Sequence, residues 1–357
     1  MVNSQTCPRV AIILVNWNGR MDTLECLESV FRLNYSDFQV LVCDNNSSDG
    51  SLECIQKWAE GLISVVPMSD QFSKLFAVPR LKPTLNCVRL TRIQAEIPDN
   101  HEESELVLIE TGSNLGFAGG NNVGIRYAQQ HLHVDYFWFL NTDTLVDPGS
   151  LAALVDRASR NEKIGIVGSS LIYYWEPNKV QALGGASLDL LTTRIRHIGA
   201  GSSVDLIPND GSEVESQMAD VVGASMLVSR KFIEQVGLMS EDYFLYYEEI
   251  DWTLRAMGKF GIGYAPDSKV FHKVGGSSRG LASTTSLRYL WRNRIKFVGG
   301  FMPSSLIGTL FSMTMDMMRA LLKGQFTLSR VIAEALLDSR HLYSEGKCNK
   351  TKIRDQA

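Results

Sequence analysis

Through the first 150 residues, short apolar runs alternate with stretches whose apolar positions recur at helical spacing. Val10–Val15 (VAIILV) is an unbroken apolar run of strand length, as expected of a strand buried on both faces. Leu24, Leu27, Val30 and Phe31 then fall on one helical stripe within Met21–Leu33. Phe38–Cys43 (FQVLVC) predicts a second strand and Gly50–Glu60 a second helix. The cycle repeats with Glu105–Glu110 (ELVLIE), a helix over Ala118–Gln130, and Tyr136–Leu140 (YFWFL). This alternation predicts an α/β fold, a Rossmann-like, mostly parallel sheet flanked by helices. In such a sheet, ligands bind at the carboxyl ends of the strands, near a switch in strand order.

The stretch 61–104 breaks the alternation. It is rich in proline and polar residues, lacks periodicity, and reads as an insertion. Beyond residue 150 the pattern is less regular. Ile164–Tyr174, Gln181–Ala186 and Arg194–Ile198 read as strands or hairpins, Asp220–Ser229 as a strand with a glycine break, and Phe244–Ala256 as a helix. Ser286–Phe297, Ser304–Leu322 and Thr327–Tyr343 are helical. The chain thus divides into an α/β domain, 1–282, and a C-terminal helical region, 283–357.

Composition narrows the class. Of 357 residues, 45% are hydrophobic and 21% charged, enough for a sizeable core, and the net charge of −4 gives no footing for nucleic acid. Six scattered cysteines without a C-x-x-C spacing argue against a zinc site or a disulfide framework, and fit a reducing cytoplasm. The N-terminal residues lack the pattern of a secretory leader.

The chemistry gathers where the strands end. The first strand runs into Asn16-Trp17-Asn18-Gly19, and the second into Asp44-Asn45-Asn46-Ser47-Ser48-Asp49-Gly50. The third leads to Asn114-Leu115-Gly116-Phe117-Ala118-Gly119-Gly120-Asn121-Asn122, and the fourth to Asn141-Thr142-Asp143-Thr144. Any one of these is an ordinary turn composition; four along one sheet edge indicate a binding site. Asp44 can accept from a base N–H, and Ser48 and Asp49 fit a cap on the second helix. The Gly116–Gly124 stretch lacks the G-x-G-x-x-G spacing, but its glycines permit close approach of backbone to a ligand. Asp143 suits a hard divalent cation bridging phosphates. Glu248-Glu249-Ile250-Asp251-Trp252 sets three carboxylates among aromatics, where a raised pKa would suit a general base. His272 follows a strand-like Lys269–Phe271; on residues alone, a structural histidine is the commoner reading.

These segments, in this order and over residues 10 to 297, resemble the family-2 glycosyltransferases, above all their rhamnosyltransferase-like branch. The resemblance rests on Val15–Gly19, Asp44–Gly50, Asn114–Asn122, Leu140–Asp143, Val222-Gly223-Ala224, Glu248–Trp252 and Arg292-Asn293. It implies a GT-A fold and a nucleotide-sugar site drawn from Val15, Asn16, Asn18, Asp44, Asn46, Asn114, Gly116, Asn121, Asn141, Thr142, Arg292 and Asn293. Asp143 and His272 would hold Mg²⁺ or Mn²⁺, with Asn141 standing at the first position of the family's D-x-D element. Glu249 is favoured over Asp251 as the base, and Gly223, Ala224 and Trp252 would shape the acceptor pocket.

The implied reaction is inverting transfer of a sugar, with dTDP-rhamnose the first choice of donor, to a hydroxyl of a cell-surface glycan or lipid-linked precursor. A sugar-nucleotide pyrophosphorylase and an inactive nucleotide-sugar or carbohydrate-binding module are the alternatives. Pro303, Asp316 and Arg319 interrupt the apolar stretch 297–322, which makes it a poor membrane span. It leaves peripheral contact with the inner face of the cell membrane, a helical subdomain, and a methionine-rich homodimer face as the options.

Overall fold

The computed structural model describes residues 7–77, 79, 80, 82–98, 104–274 and 283–356. Its thirteen described strands are β1 (Val10–Asn16), β2 (Phe38–Asp44), β3 (Cys87–Thr91), β4 (Leu106–Glu110), β5 (Tyr136–Leu140), β6 (Thr144–Val146), β7 (Ile164–Tyr173), β8 (Val180–Leu183), β9 (Gly185–Leu188), β10 (Ile195–His197), β11 (Asp220–Val221), β12 (Ser225–Ser229) and β13 (Gly261–His272). The main sheet runs β3-β4-β2-β1-β5-β12-β7-β13-β6, with β8 on β7; β10-β9-β11 form a small second sheet. The run from β3 to β5 is parallel throughout. β12 then pairs antiparallel with both β5 and β7.

Chain order leaves β1 in both directions, to β2 on one side and to β5 on the other. That is a switch point, and the crevice of such a sheet opens there, beyond the strand ends. The register places Asn16 beside Asp44 at that edge.

Strand periodicity divides the core. Val10, Ile12 and Leu14 meet Leu24, Leu27 and Trp58 on one face of the sheet. Ala11 and Ile13 meet Val123, Tyr127 and Trp252 on the other. The helix Gly116–His131 lies close against β1, because a Cβ at Gly120 would fall 2.7 Å from Val15 and one at Gly124 2.7 Å from Ile13. These glycines therefore admit the strand and not a ligand. Gly116, with φ +71°, admits the carbonyl of Phe244, which would lie 2.2 Å from a Cβ there.

Several elements differ from expectation. The 61–104 stretch contributes β3, the edge strand, and the short helices Ser73–Ala77 and Arg92–Ala95. Its half-buried Cys87–Thr91 lacks the apolar run of a central strand, so periodicity missed it. The helix expected from Phe244 begins at Glu248, since Phe244, Tyr246 and Tyr247 hold positive φ. Thr327–Tyr343 is two helices, Phe326–Leu337 and Ser339–Gln356, parted at Asp338. β6, most of β13, and the helices Ser150–Ser159 and Arg230–Val236 carried no signal that was read.

The C-terminal helices have a core of their own, centred on Ile295, Met313, Ile332 and Leu342. They join the sheet domain through Phe297 against Tyr247 and through Gly308, where a Cβ would fall 2.3 Å from the carbonyl of Leu191.

Trp252, an expected acceptor residue, lies wholly in the core. It packs edge-on to Phe139 and Phe232, and its indole N–H donates to the carbonyl of Gly237 (2.9 Å). Trp252→Ala should lower unfolding free energy by about 3–5 kcal/mol in urea titration; a loss below about 1 kcal/mol would place the ring outside the core.

Candidate active site

Two cavities open along the carboxyl edge of the parallel strands. The smaller, about 130 Å³, is lined by Asp44, Asn46, Ser47, Arg89, Glu110 and Gly112 among others. Asp44 is held in place from two sides: Asn16 Nδ2 donates to Oδ1 (2.6 Å) and the Ser47 N–H to Oδ2 (2.9 Å). Asn16 is completely buried and also accepts from Thr23 Oγ1 (2.8 Å), so it acts on the cavity by fixing Asp44. Asn18 and Asn46 occupy left-handed backbone, which asparagine tolerates, and Asn18 Oδ1 accepts from the Ser48 N–H (2.7 Å). Asp49 Oδ1 accepts from the Ser51 N–H (3.1 Å) at the start of the second helix.

The larger cavity, about 560 Å³, takes Asn141, Asp143, Gly223, Ala224, Glu249 and His272 into its lining. β13 pairs His272 with Thr144 of β6, which carries the imidazole to Asp143. His272 Nε2 lies 3.2 Å from Asp143 Oδ1, and its Nδ1 lies 2.9 Å from Gln181 Oε1. Burial alone would raise the Asp143 pKa; the His272 imidazole and the Lys273 ammonium bring it below the usual carboxylate value. Among the described residues, no group of three or more His, Cys, Asp or Glu side chains is placed to hold a metal.

Glu249 lies in the first turn of the helix Glu248–Arg255 and reaches over Gly223. A Cβ at Gly223 would fall 2.2 Å from Glu249 Oε1, so only glycine leaves the carboxylate its position. Burial pushes the Glu249 pKa up to about 7, although hydrogen bonds from backbone, including Gly223, oppose the rise. Its neighbours are shifted in the same direction. Burial, then the Glu249 charge, raises both Glu248 and Asp220 well above the ordinary range. Glu248 Oε2 is buried without a hydrogen-bond partner.

The structure separates the two candidate bases. Asp251 is not in the cavity lining; Arg255 holds its Oδ1 at 2.7 Å. Arg292 and Asn293 are also elsewhere than expected. Arg292 is exposed and pairs with Asp338 (3.0 Å), while Asn293 Nδ2 donates to the carbonyls of Tyr243, Leu245 and Tyr246. Asn121 donates to the carbonyl of Phe117 within its own helix, and Asn114 Oδ1 accepts from the Gly116 N–H. Val15 packs under Gly120, and Thr142 is half-buried beside Gly19.

Reading the sequence missed Gln181, Asp220, Arg194 and Arg294, all in the larger cavity. A usable signal existed for Arg294. Trp291, Arg294 and Val298 are spaced at i, i+3 and i+7, which turns Arg294 inward with the apolar stripe and Arg292 away from it.

A mostly parallel sheet flanked by helices, with a crevice at its switch point, is the architecture of a GT-A fold. The chain belongs to glycosyl transferase family 2, whose sequence model matches residues 11–74 and 91–236. It is 28% identical over 174 residues to the low-salt glycan biosynthesis hexosyltransferase Agl10 of Haloferax volcanii, covering 45% of this chain and 52% of that one. It is 30% identical over 183 residues to the N-acetylglucosaminyl-diphospho-decaprenol L-rhamnosyltransferase of Mycobacterium tuberculosis, covering 46% and 58%. The chain thus spans little more than half the length of these curated relatives. Its fold is similar to the mannosyltransferase PcManGT from Pyrobaculum calidifontis in complex with GDP-Man and Mn²⁺, with a TM-score of 0.51, 13% identity, and coverage of 94% and 88%.

Because the folded protein keeps Glu249 protonated up to about pH 7 and the unfolded chain releases that proton near its ordinary value of 4.5, this group makes stability fall as pH rises through that window. Glu249→Gln should therefore gain stability relative to the parent at about pH 8, on the order of 1–3 kcal/mol, and not at about pH 4. Denaturant titrations of both proteins at the two pH values test this; equal differences at both would contradict the raised pKa.

Proposed function

We propose that the chain is an inverting, divalent-metal-dependent glycosyltransferase that moves a sugar from a nucleoside diphosphate to an acceptor hydroxyl. The observation that carries this reading is Glu249: a carboxylate with a pKa near neutrality, in one cavity with Asp143 and His272.

The residues fit a metal. Gln181 Oε1 accepts from His272 Nδ1, which leaves Nε2 facing an oxygen of Asp143 at 3.2 Å. A neutral His272 would present Nε2 beside an Asp143 oxygen, and this pair would hold Mg²⁺ or Mn²⁺, whose remaining ligands would come from diphosphate and water. When bound, the ion would offset charge on the departing diphosphate. In the same reading Asp44 receives the base of the donor, and Asn141 and Ala224 line the path of the sugar.

Transfer is a single displacement. The acceptor oxygen bonds to the anomeric carbon, the bond from that carbon to the diphosphate oxygen breaks, and Glu249 takes the hydroxyl proton. One displacement inverts the anomeric centre. Burial raises the Asp220 and Glu248 carboxyls, which disfavours negative charge around the base.

Likeness to rhamnosyltransferases, one of them named as a dTDP-rhamnosyl transferase, supports dTDP-rhamnose as donor and a lipid-linked or other cell-surface glycan precursor as acceptor. Membrane contact would follow from the exposed stripe Ile307, Phe311, Met315, Met318 and Leu322, repeating every three to four residues on the helix Leu306–Leu322. No described helix is long and apolar enough to cross a membrane. Pelleting with anionic vesicles checks the contact; a concentration-dependent dimer without pelleting would assign the stripe to a second copy.

A thermal-shift screen of nucleoside diphosphates with and without Mn²⁺ should give a metal-dependent rise with one base, and Asp143→Ala should abolish it. In transfer assays, Glu249→Gln should lower kcat by about 10²–10⁴-fold with donor affinity kept, and the parent's rate should rise with pH through about 7 as the base loses its proton. A folded Glu249→Gln protein with full activity would remove Glu249 from the role. A folded parent that shifts with no nucleotide would favour a binding module or other function.

A further inference from the structure

The helix Glu248–Arg255 begins in a way its own sequence does not favour. Its N-cap residue is Tyr247, at φ +79°, and no side chain caps the helix, where Ser, Thr, Asp or Asn would be the usual device. Phe244 and Tyr246 come just before it, at φ +63° and +68°. Left-handed backbone is unfavourable for aromatic residues, so this turn is imposed from outside the segment.

One stripe of the helix Thr284–Phe301 imposes it. Tyr289, Asn293 and Phe297 recur every four residues and share a face of that helix. Tyr289 stacks on Phe244, with ring centres 4.7 Å apart and planes at 21°. Phe297 packs on Tyr247, with ring centres 5.4 Å apart. Between them the buried Asn293 donates to the carbonyls of Tyr243, Leu245 and Tyr246. Each of the three left-handed residues therefore touches this one stripe.

Glu248 and Glu249 are the next two residues, so the turn sets the phase of the helix that carries them. A slip of one residue would swing Glu249 by about 100° around the helix axis. The site leaves no room for such a slip, because the carboxylate stands where a Cβ at Gly223 would lie 2.2 Å from Oε1.

We propose that Asn293 is a positioning residue for Glu249: by fastening the turn 243–247, the C-terminal helix fixes where the helix Glu248–Arg255 begins and so which way the Glu249 carboxylate points. The placement stands on the contacts above, and only its purpose, to hold a base, rests on the transferase reading. Family likeness sets Asn293 against the donor; in the role proposed it touches no substrate.

The test uses the full chain and needs no substrate. Glu249→Gln, Asn293→Ala and the double variant are compared with the parent by urea titration at about pH 4 and pH 8. The stability that Glu249→Gln gains at the higher pH measures how far burial holds up the Glu249 carboxyl. In the Asn293→Ala background the carboxyl turns outward and releases its proton nearer the ordinary value, so the gain should fall to about half or less of the parental one. A residue that only supports the fold would lower every stability and leave the gain unchanged. Asp220, Glu248, Asp143, His272, His197 and Arg294 share the cavity with Glu249 and are present in all four proteins, so their own titration cancels in the comparison. Tyr289→Ala removes the stack on Phe244 and should reduce the gain by about a third or more; it decides the matter should Asn293→Ala fail to fold. A parental gain in folded Asn293→Ala or in Tyr289→Ala overturns the proposal, as does failure of both variants to fold. Nucleoside diphosphate affinity with Mn²⁺, read by calorimetry, should stay within about twofold of the parent in Asn293→Ala, and a loss of about tenfold would return Asn293 to the donor site and overturn the role. A parent that binds no nucleoside diphosphate would defeat the transferase reading alone, with the stability comparison still deciding the placement.

Discussion

Phe244, Tyr246 and Tyr247 turn the chain through left-handed backbone at φ +63°, +68° and +79°, a conformation that costs an L-residue about 1–2 kcal/mol each. What holds them there is largely one amide. Asn293 Nδ2 donates to the carbonyls of Tyr243 (2.8 Å), Leu245 (2.8 Å) and Tyr246 (3.0 Å). Two hydrogens serve three acceptors, so the bonds are shared, and the turn is pinned from the far side by a helix of another region. Glu248 and Glu249 follow immediately, in the first turn of the next helix. The carbonyl of Phe244 closes against Gly116 and receives the Phe117 N–H (2.8 Å). The sheet, Glu249 and the C-terminal helices therefore meet at one strained turn, beside the larger cavity.

This explains how much could be read from the sequence. The parallel half of the fold was legible because β1, β2, β4 and β5 are continuous apolar runs, buried on both faces. β13 was mostly not, because it is twelve residues long with a bulge and alternating burial, and Pro266 interrupts its pattern. Polar clusters at strand ends were visible as composition. Their individual duties were not, because Asn side chains that look like ligand contacts in a string of letters can equally be fasteners. Asn16 braces Asp44, Asn121 caps back onto its own helix, and Asn293 pins the turn. Distinguishing these needs the positions of partners that lie 4 to 50 residues away in the chain.

Helical phase was the other limit. Family likeness pointed to Arg292 and Asn293, yet one residue on an α-helix turns the side chain by about 100°. That rotation sends Arg292 to solvent and Asp338, and Arg294 into the cavity. Likewise Glu249 and Asp251 differ by two positions and face different surroundings, one the cavity and the other Arg255.

Gly223 carries a consequence for how relatives of this chain should be read. A methyl group there would fall 2.2 Å from Glu249 Oε1, the free end of a flexible side chain, which would swing aside at little cost to folding. A homologue with alanine at this position would keep every acidic residue and still displace the carboxylate proposed as the base. Inventories of carboxylates would count it among the active members. On the role proposed for Glu249, the smallest residue in the cavity is thus as much a marker of competence as the charged ones around it.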